Sequence, residues 1–210
     1  MPHDHHDHEH DNHALIVDAG AGDDEFLEIA IRELLIEKGV LTALEVNSQI
    51  DAMDSRNPAL GARVIARAWS DPDFRAGLIK TPLETIEAAF GLNMSTQLEL
   101  VILENTPQVH NVVVCTLCSC YPRMLLGIPP AWYKATAYRS RVVVEPRAVL
   151  AEFGLTLPPE IEVRVSDSTA DLRYLVLPMR PAATEGWPED RLAALVSRDS
   201  MIGMAVPLAP

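Results

Sequence analysis

The stretch Asn-Val-Val-Val-Cys-Thr-Leu-Cys-Ser-Cys, from Asn111 to Cys120, joins a run of β-branched residues to every cysteine in the chain. Cys115, Cys118 and Cys120 are the only cysteines among 210 residues. Thiolates prefer soft transition metals, and a loop this short can direct several sulfur atoms at one point. The sequence therefore predicts a metal site that follows directly on a strand.

Three other uses of the cysteines fit the pattern less well. A disulfide framework needs an even number of cysteines spread over a small secreted chain. A redox pair formed by Cys115 and Cys118 leaves Cys120 without a role. Structural zinc needs four ligands, and the nearest fourth candidate, His110, lies upstream on the same predicted strand and is expected to point elsewhere.

Histidine is almost absent from the body of the chain. Six of the seven histidines lie within the first thirteen residues, which leaves only His110. A histidine general base, a catalytic triad or a His-rich zinc site therefore has few candidates. If the protein is an enzyme, we expect the cysteine cluster to carry its chemistry.

The Cys-Ser-Cys spacing favours a catalytic metal site over a structural one. Cys118 and Cys120 flank Ser119, so two sulfur atoms and the backbone amides of Ser119 and Cys120 can surround one face of a metal ion. Cys115 can reach the ion from another direction. A strongly polarising trivalent ion can bind deprotonated amides, and this donor set leaves one coordination position open for a reactant.

Two stretches beside the cysteines carry a family resemblance: Val114–Pro122 reads VCTLCSCYP, and Leu126–Lys134 reads LGIPPAWYK. Both resemble the metal loop of the nitrile hydratase α subunit. Further similar segments lie at 104–111, 138–141, 145–154 and 198–203, so the resemblance covers nearly everything after about residue 25. A nine-residue match around three cysteines is a specific signal. Thr116 is the variant associated with cobalt enzymes, whereas iron enzymes usually carry serine there, so the resemblance implies cobalt rather than iron.

The resemblance implies a role for each residue of the loop. Cys115 would be the axial thiolate of one cobalt(III) ion, with Cys118, Cys120 and the amides of Ser119 and Cys120 in the equatorial plane. Cys118 would be oxidised to a sulfinate and Cys120 to a sulfenate. Cys120 and Ser119 would then be the catalytic residues, with the sulfenate oxygen as nucleophile or base in the hydration of a nitrile to an amide.

Four further positions map onto substrate-pocket or outer positions of the family: Gln97, Lys134, Asp167 and Asp171. Groups at such positions orient the metal ligands and tune them. Each also has a plain interpretation, since Lys134 and Asp171 could be solvated surface charges and Gln97 and Asp167 ordinary turn or strand-end residues. Asp171 stands where the family usually has glutamate, so its carboxylate has a shorter reach.

Arg123 is a departure from the family pattern, which usually continues with Trp-Pro where this chain has Arg123-Met124. Tryptophan would help form an apolar substrate wall, whereas arginine brings a fixed cation with several donors. A similar arginine occurs in the γ subunit of thiocyanate hydrolase, a relative with the same cobalt site. A γ-like subunit that converts thiocyanate to carbonyl sulfide and ammonia is therefore the alternative function. A metal storage or delivery protein is the non-enzymatic alternative.

The resemblance also implies partner chains. Negative oxygens on Cys118 and Cys120 need cationic donors, which in the family come from arginines of a separate β subunit. We expect a heteromer with a β subunit, either one chain or split into two, and a metallochaperone or activator is a possible further partner. The small-molecule ligand would be a nitrile.

Composition excludes other classes of partner. The net charge of -13 argues against nucleic acid, because a phosphate-binding surface needs concentrated lysine and arginine. The sequence shows no basic-then-apolar signal peptide and no apolar run long enough to span a membrane. Reduced, clustered thiols are typical of the cytoplasm. We therefore expect a soluble cytoplasmic protein.

The chain divides into three predicted regions. Residues 1–22 form a His/Asp-rich tail that we expect to be disordered, because it offers nothing to bury. The tail could gather metal weakly or simply be solvated. Residues 23–92 form a helical arm region, and residues 93–210 an α+β metal-binding catalytic domain.

Caps and periodicity predict the individual elements. In the first ninety residues they indicate helices at 23–39, 57–66 and 81–91, the last with a capping box at Thr81-Pro82-Leu83-Glu84. β-rich runs predict strands at 98–103, 111–114, 160–165 and 173–177, with helices at 146–153 and 188–196. This is an α+β fold, for which the resemblance implies a layered α/β/β/α arrangement.

Overall fold

The computed structural model describes residues 22–54, 56–91 and 98–209. The predictions for the tail before residue 22, for Gln97 and for the boundary at 92–93 lie outside these residues. The helices are α1 (Gly22–Glu37), α2 (Ala43–Asp54), α3 (Pro58–Ser70), α4 (Pro72–Lys80), α5 (Pro82–Phe90), α6 (Arg123–Leu126), α7 (Ala131–Lys134), α8 (Thr136–Arg141), α9 (Pro146–Glu152) and α10 (Glu189–Ala193). The strands are β1 (Glu99–Glu104), β2 (Val109–Val114), β3 (Glu162–Asp167) and β4 (Leu172–Leu177), and a 3₁₀ turn spans Asp199–Met201.

The described strands form two parallel pairs. β1 pairs with β4, and β2 pairs with β3 so that Val114 lies opposite Asp167. Parallel strands end at the same edge of a sheet, so the residues that follow β2 and β3 lie side by side. The backbone nitrogen of Ser168 donates to the Val114 carbonyl at 2.7 Å, immediately before Cys115. This pairing places the cysteine loop next to the end of β3.

The core is built around β2, which is buried along nearly its whole length. Val112, Val113 and Val114 are fully buried, as expected for a strand covered on both faces. The backbone nitrogen of Val113 also donates to the Ile202 carbonyl at 2.9 Å. Gly203 follows with φ +86°, and a Cβ there would lie 1.9 Å from the Asn111 carbonyl oxygen. Only glycine allows the C-terminal segment to approach β2 this closely.

Helices α3, α4 and α5 contribute to the same core as the strands. The buried face of α3 includes Val64 and Ile65, and Ile86 of α5 is also fully buried. In contrast, α1 and α2 expose large apolar side chains, with Phe26 74% and Leu44 79% exposed. None of the described helices combines the length and apolarity needed to cross a bilayer.

Some predicted helix ends are confirmed and others are wrong. The Asn57 side chain caps α3 by accepting from the Ala59 backbone nitrogen at 2.9 Å, and Gly91 ends α5 in the left-handed conformation. The predicted capping box is not formed, because Thr81 makes no side-chain cap bond and its hydroxyl lies 3.4 Å from that of Thr85. Helix α3 also extends beyond the predicted end to Ser70.

Candidate metal centre

The three cysteine sulfurs converge, as their spacing predicts. Sγ of Cys115 lies 3.5 Å from Sγ of Cys118, which lies 3.2 Å from Sγ of Cys120. All three sulfurs lie within 4.8 Å of one another, and none forms a disulfide. Cys115 is buried, Cys120 is partly buried and Cys118 is exposed. The cluster therefore has one side in the protein and one side open to solvent.

The thiol chemistry of this cluster fits a soft cation. Hydrogen bonds from the thiols of Cys120 and Cys115 lower the pKa of Cys118. Burial, together with the neighbouring sulfurs, raises the pKa of Cys120 to about 12. One thiolate is thus stabilised by its neighbours, while further ionisation would bring like charges together. A bound cation removes that repulsion, which is why crowded thiols are typical of thiolate metal sites.

Asp167, one of the predicted outer residues, holds the start of the loop. Its carboxylate accepts the Thr116 backbone N–H at 2.9 Å and the Thr116 hydroxyl at 2.5 Å. The parallel pairing of β2 with β3 brings this carboxylate to the loop, because Asp167 ends β3 opposite Val114. Asp167 is therefore both the last residue of β3 and a residue that bonds the cysteine loop.

Arg139 contacts the same loop residue from the other side. Its Nη1 donates to the Thr116 carbonyl at 3.2 Å, its Nε to the Lys134 carbonyl at 3.0 Å and its Nη2 to the Thr136 hydroxyl at 3.3 Å. No local sequence pattern predicts a role for Arg139. Its only signal in the sequence is its position in the Tyr-Arg-Ser-Arg segment that resembles the family.

Tyr133 supports the far end of the loop. Its hydroxyl donates to the Cys120 carbonyl at 2.9 Å, and burial raises the pKa of the phenol well above its usual value. Its ring packs edge-on against Tyr121, with centroids 4.9 Å apart. Tyr133 belongs to α7, in the LGIPPAWYK stretch, and this sequence motif alone does not predict its contact with the Cys120 carbonyl.

Arg173 supplies positive charge near the cluster. Burial and the neighbouring sulfurs raise the pKa of Cys120, and the positive charge of Arg173 opposes them by lowering it. Its Nη1 donates to the carbonyls of Thr169, Ala170 and Leu172. Its Nε is buried without a hydrogen-bond partner among the described residues. A buried guanidinium nitrogen without a partner is a free donor, and it fits an oxygen or an anion as its acceptor.

Three other predicted residues lie at the surface. Arg123, Lys134 and Asp171 are exposed, and within the described residues their side chains make no hydrogen bond. Lys134 and Asp171 form hydrogen bonds through their backbone carbonyls. The Lys134 carbonyl accepts from Arg139, and the Asp171 carbonyl accepts from the Glu99 backbone nitrogen at 2.7 Å.

His110 is unavailable as a fourth ligand, as expected. It is buried on β2, where Nε2 lies 2.7 Å from the Gly203 carbonyl oxygen and Nδ1 lies 3.3 Å from Nδ2 of Asn105. Because a carbonyl only accepts and an amide nitrogen only donates, Nε2 must donate and Nδ1 must accept. His110 is therefore a neutral structural residue.

Comparison with known proteins identifies the family to which this loop and fold belong. The family model described as nitrile hydratase, alpha chain, matches residues 23–205. The chain is 48% identical to the low-molecular weight cobalt-containing nitrile hydratase subunit alpha of Rhodococcus rhodochrous, over 86% of this chain and 87% of that protein. It is 45% identical to the thiocyanate hydrolase subunit gamma of Thiobacillus thioparus, over 88% and 80%.

A solved structure agrees with these relatives. A mutant of the Fe-type nitrile hydratase from Comamonas testosteroni Ni1 superposes with a TM-score of 0.83 and 42% identity, over 89% of this chain and 91% of that one. The similarity confirms the mixed helix and strand fold around the cysteine loop. The family expected from the loop sequence is likewise confirmed: this chain belongs to the nitrile hydratase α chain family.

Proposed function

We propose that this chain is the α subunit of a cobalt-dependent nitrile hydratase, which hydrates a nitrile to the amide. The observation that carries the proposal is the convergence of three free cysteine sulfurs within 4.8 Å on the loop of a nitrile hydratase family member. The solvent-exposed side of that cluster, at Cys118, leaves room for a small substrate.

The proposed ligands are the sulfurs of Cys115, Cys118 and Cys120 with the backbone amides of Ser119 and Cys120. A trivalent cobalt ion held by this set would supply Lewis acidity toward a nitrile or water. Cobalt is favoured over iron by Thr116 and by the relative named as cobalt-containing. The Thr116 contact with Asp167 does not itself choose between the metals, because a serine hydroxyl could donate in the same way.

We also propose that maturation oxidises Cys118 by four electrons to a sulfinate and Cys120 by two electrons to a sulfenate, with dioxygen as the oxidant. These oxygens add negative charge that needs donors nearby. Arg173 offers one unpaired donor from within this chain. The Cys120 sulfenate and the adjacent Ser119 are the proposed catalytic groups, and Asp167, Arg139 and Tyr133 hold the loop that carries them.

A β subunit is the proposed partner, as one chain or two. The structure supports a partner because large apolar groups are exposed on α1, on α2 and at the tip of the loop, where Leu117 is 87% exposed. Such exposed apolar surface is typical of an interface. The partner would supply the remaining cationic donors, an activator would assist cobalt loading, and the thiols suit a cytoplasmic location.

We also propose substrate-pocket or outer roles for the remaining predicted residues, Lys134, Asp171 and Gln97. Lys134 and Asp171 are exposed and therefore available to a substrate or to the partner subunit. Gln97, outside the described residues, is proposed as a pocket residue from its sequence position alone.

A thiocyanate hydrolase γ-like subunit is the second candidate. Arg123 favours it, because an exposed guanidinium three residues beyond Cys120 suits an anionic substrate better than an apolar nitrile. The 45% identity to a γ subunit is close to the 48% identity to a nitrile hydratase α subunit. The family match favours either enzyme over a metal storage or delivery protein.

One experiment separates these candidates. The full chain is co-expressed with its partner gene or genes in cobalt medium, the metal is quantified, and the complex is assayed on a panel of nitriles and on thiocyanate. Amide from nitriles with one cobalt per chain supports the first candidate, and carbonyl sulfide from thiocyanate supports the second. Stoichiometric zinc in a fully active complex would reject both.

A further inference from the structure

We propose that Arg139 is a positioning residue for the metal loop, holding it in the metal-binding arrangement before the metal arrives. This inference rests on the proposed function in one respect, that the cysteine cluster is the metal site. The hydrogen bonds that support it join Arg139 and Asp167 to Thr116.

Thr116 is the residue at which the loop is held, directly after the buried Cys115. Asp167, at the end of β3, accepts its N–H at 2.9 Å and its hydroxyl at 2.5 Å. Arg139, on α8, donates to its carbonyl at 3.2 Å. The two peptide groups that flank Thr116 are therefore fixed by opposite charges from two separate elements.

Arg139 suits this task because a guanidinium presents several donors in a rigid plane. Its three nitrogens bond the loop at Thr116, the end of α7 at Lys134 and the start of α8 at Thr136. A lysine could not span these acceptors with one ammonium group. The neighbouring Tyr138 anchors α8, since its buried hydroxyl donates to the Val113 carbonyl at 2.7 Å, on the strand that leads into the loop.

The consequence is that the loop is organised by hydrogen bonds of the protein itself. The backbone nitrogen of Cys118 already donates to Cys115 Sγ at 3.3 Å, across the bend at residues 116–118. Loss of the Arg139 bond would free the Thr116–Leu117 peptide to rotate. The buried Cys115 would then become accessible, and the three sulfurs would have to be reordered when the metal binds.

The test compares Arg139→Gln with Arg141→Gln in the full chain. Arg141 is a matched control because it lies on the same helix and is also half-buried, but it pairs with Glu145 and Glu152 away from the loop. The first readout is the rate of iodoacetamide alkylation of Cys115 in the metal-free, reduced chain, followed by peptide mass spectrometry. We expect Arg139→Gln to raise it about tenfold, the effect of one hydrogen bond from a charged donor.

The second readout is cobalt retention by the matured complex against a chelator. We expect Arg139→Gln to lose cobalt about 10- to 100-fold more readily than the Arg141→Gln complex. If Arg139→Gln does not fold, Arg139→Lys, which keeps the charge and most of the stem, is measured in the same way. Alkylation and retention that match those of the Arg141 control would overturn the proposal. Because alkylation needs neither cobalt nor substrate, a wrong metal or reaction assignment leaves this test intact.

Discussion

At the scale of single residues, we predict that Arg123 influences which substrates the site accepts. It begins α6, just beyond the cysteine loop, and exposes a cation where the family pattern has tryptophan. We predict that Arg123→Trp shifts preference toward simple hydrophobic nitriles about ten- to hundredfold, because one desolvated polar contact is worth about 1 to 3 kcal/mol. Relative kcat/KM across a nitrile panel measures the shift, with cobalt content as the control.

The same variant separates a substrate role from an interface role. If Arg123 contacts the partner subunit, the substitution would weaken assembly and lower activity on every substrate equally. A uniform loss accompanied by dissociation on size-exclusion chromatography would contradict the specificity prediction.

Cysteine oxidation is a second residue-scale prediction. We expect Cys118 to gain two oxygens and Cys120 one in the active complex, while the buried Cys115 remains a thiolate. Susceptibility to oxidation follows exposure and thiolate character, and the exposed Cys118 also has the lowered pKa. Peptide mass spectrometry of freshly purified, anaerobically handled enzyme measures this. Full activity with three unmodified cysteines would refute it.

Tyr133 tests the support of the loop from α7. Tyr133→Phe removes the donor to the Cys120 carbonyl and leaves that acceptor unpaired in a partly buried setting, which costs about 1 to 3 kcal/mol. We expect the free energy of unfolding of the full chain to fall by this amount in urea. Tyr174→Phe is the control, since Tyr174 is half-buried and its hydroxyl makes no hydrogen bond to a described residue. Equal losses in the two variants would show that the Cys120 contact contributes nothing.

At the scale of elements, helix caps show what local sequence can and cannot predict. Asn57 and Thr81 both precede a proline that starts a helix, but only Asn57 makes the cap bond. We predict that Asn57→Ala lowers the free energy of unfolding by about 1 kcal/mol and that Thr81→Ala lowers it by less. Chemical denaturation of the two variants measures the difference, and an equal or larger loss for Thr81→Ala would be inconsistent with the structure.

The strands were predictable because short runs of apolar and β-branched residues mark their positions, but their pairing was not. Residues 98–103 and 111–114 indicate strands locally, whereas the partners of β1 and β2 lie more than fifty residues further along the chain. The convergence of the three cysteines could also be predicted locally, because their short spacing in the sequence is enough to bring the sulfurs together. Arg139 bonds the loop, and the charge of Arg173 acts on Cys120, through tertiary packing, for which single-sequence patterns carry no signal.

At the scale of the whole molecule, a buried polar network joins the two strand pairs to the C-terminal segment. His110 lies between Asn105, which follows β1, and the Gly203 carbonyl. The orientation of the Asn105 amide is set independently, because its Oδ1 accepts from the Asn111 backbone nitrogen at 2.8 Å. A protonated Nδ1 would therefore face an amide group that can only donate.

This arrangement predicts acid destabilisation through His110. Burial lowers its pKa below the ordinary value near 6.5, so the folded state favours the neutral ring. A lowered folded-state pKa contributes stability that is fully present above the unfolded pKa of about 6.5 and is lost as the pH falls toward the folded pKa. Carboxylates such as Glu152 and Glu162, whose pKa values are lowered by hydrogen bonds from arginine, lose their contribution only below about pH 4.5.

We therefore expect the free energy of unfolding of the native chain to fall as the pH drops below about 6.5, and to fall less in His110→Gln, whose side chain cannot be protonated. The variant should be less stable at pH 7.5, where the native hydrogen bonds are intact, so the two stability curves should converge as the pH is lowered. Urea unfolding of both proteins across this range measures the difference. Histidines in the tail are present in both proteins, so they cancel in the comparison. Parallel curves would mean that His110 titrates alike in the folded and unfolded states, and that the buried network does not resist its protonation.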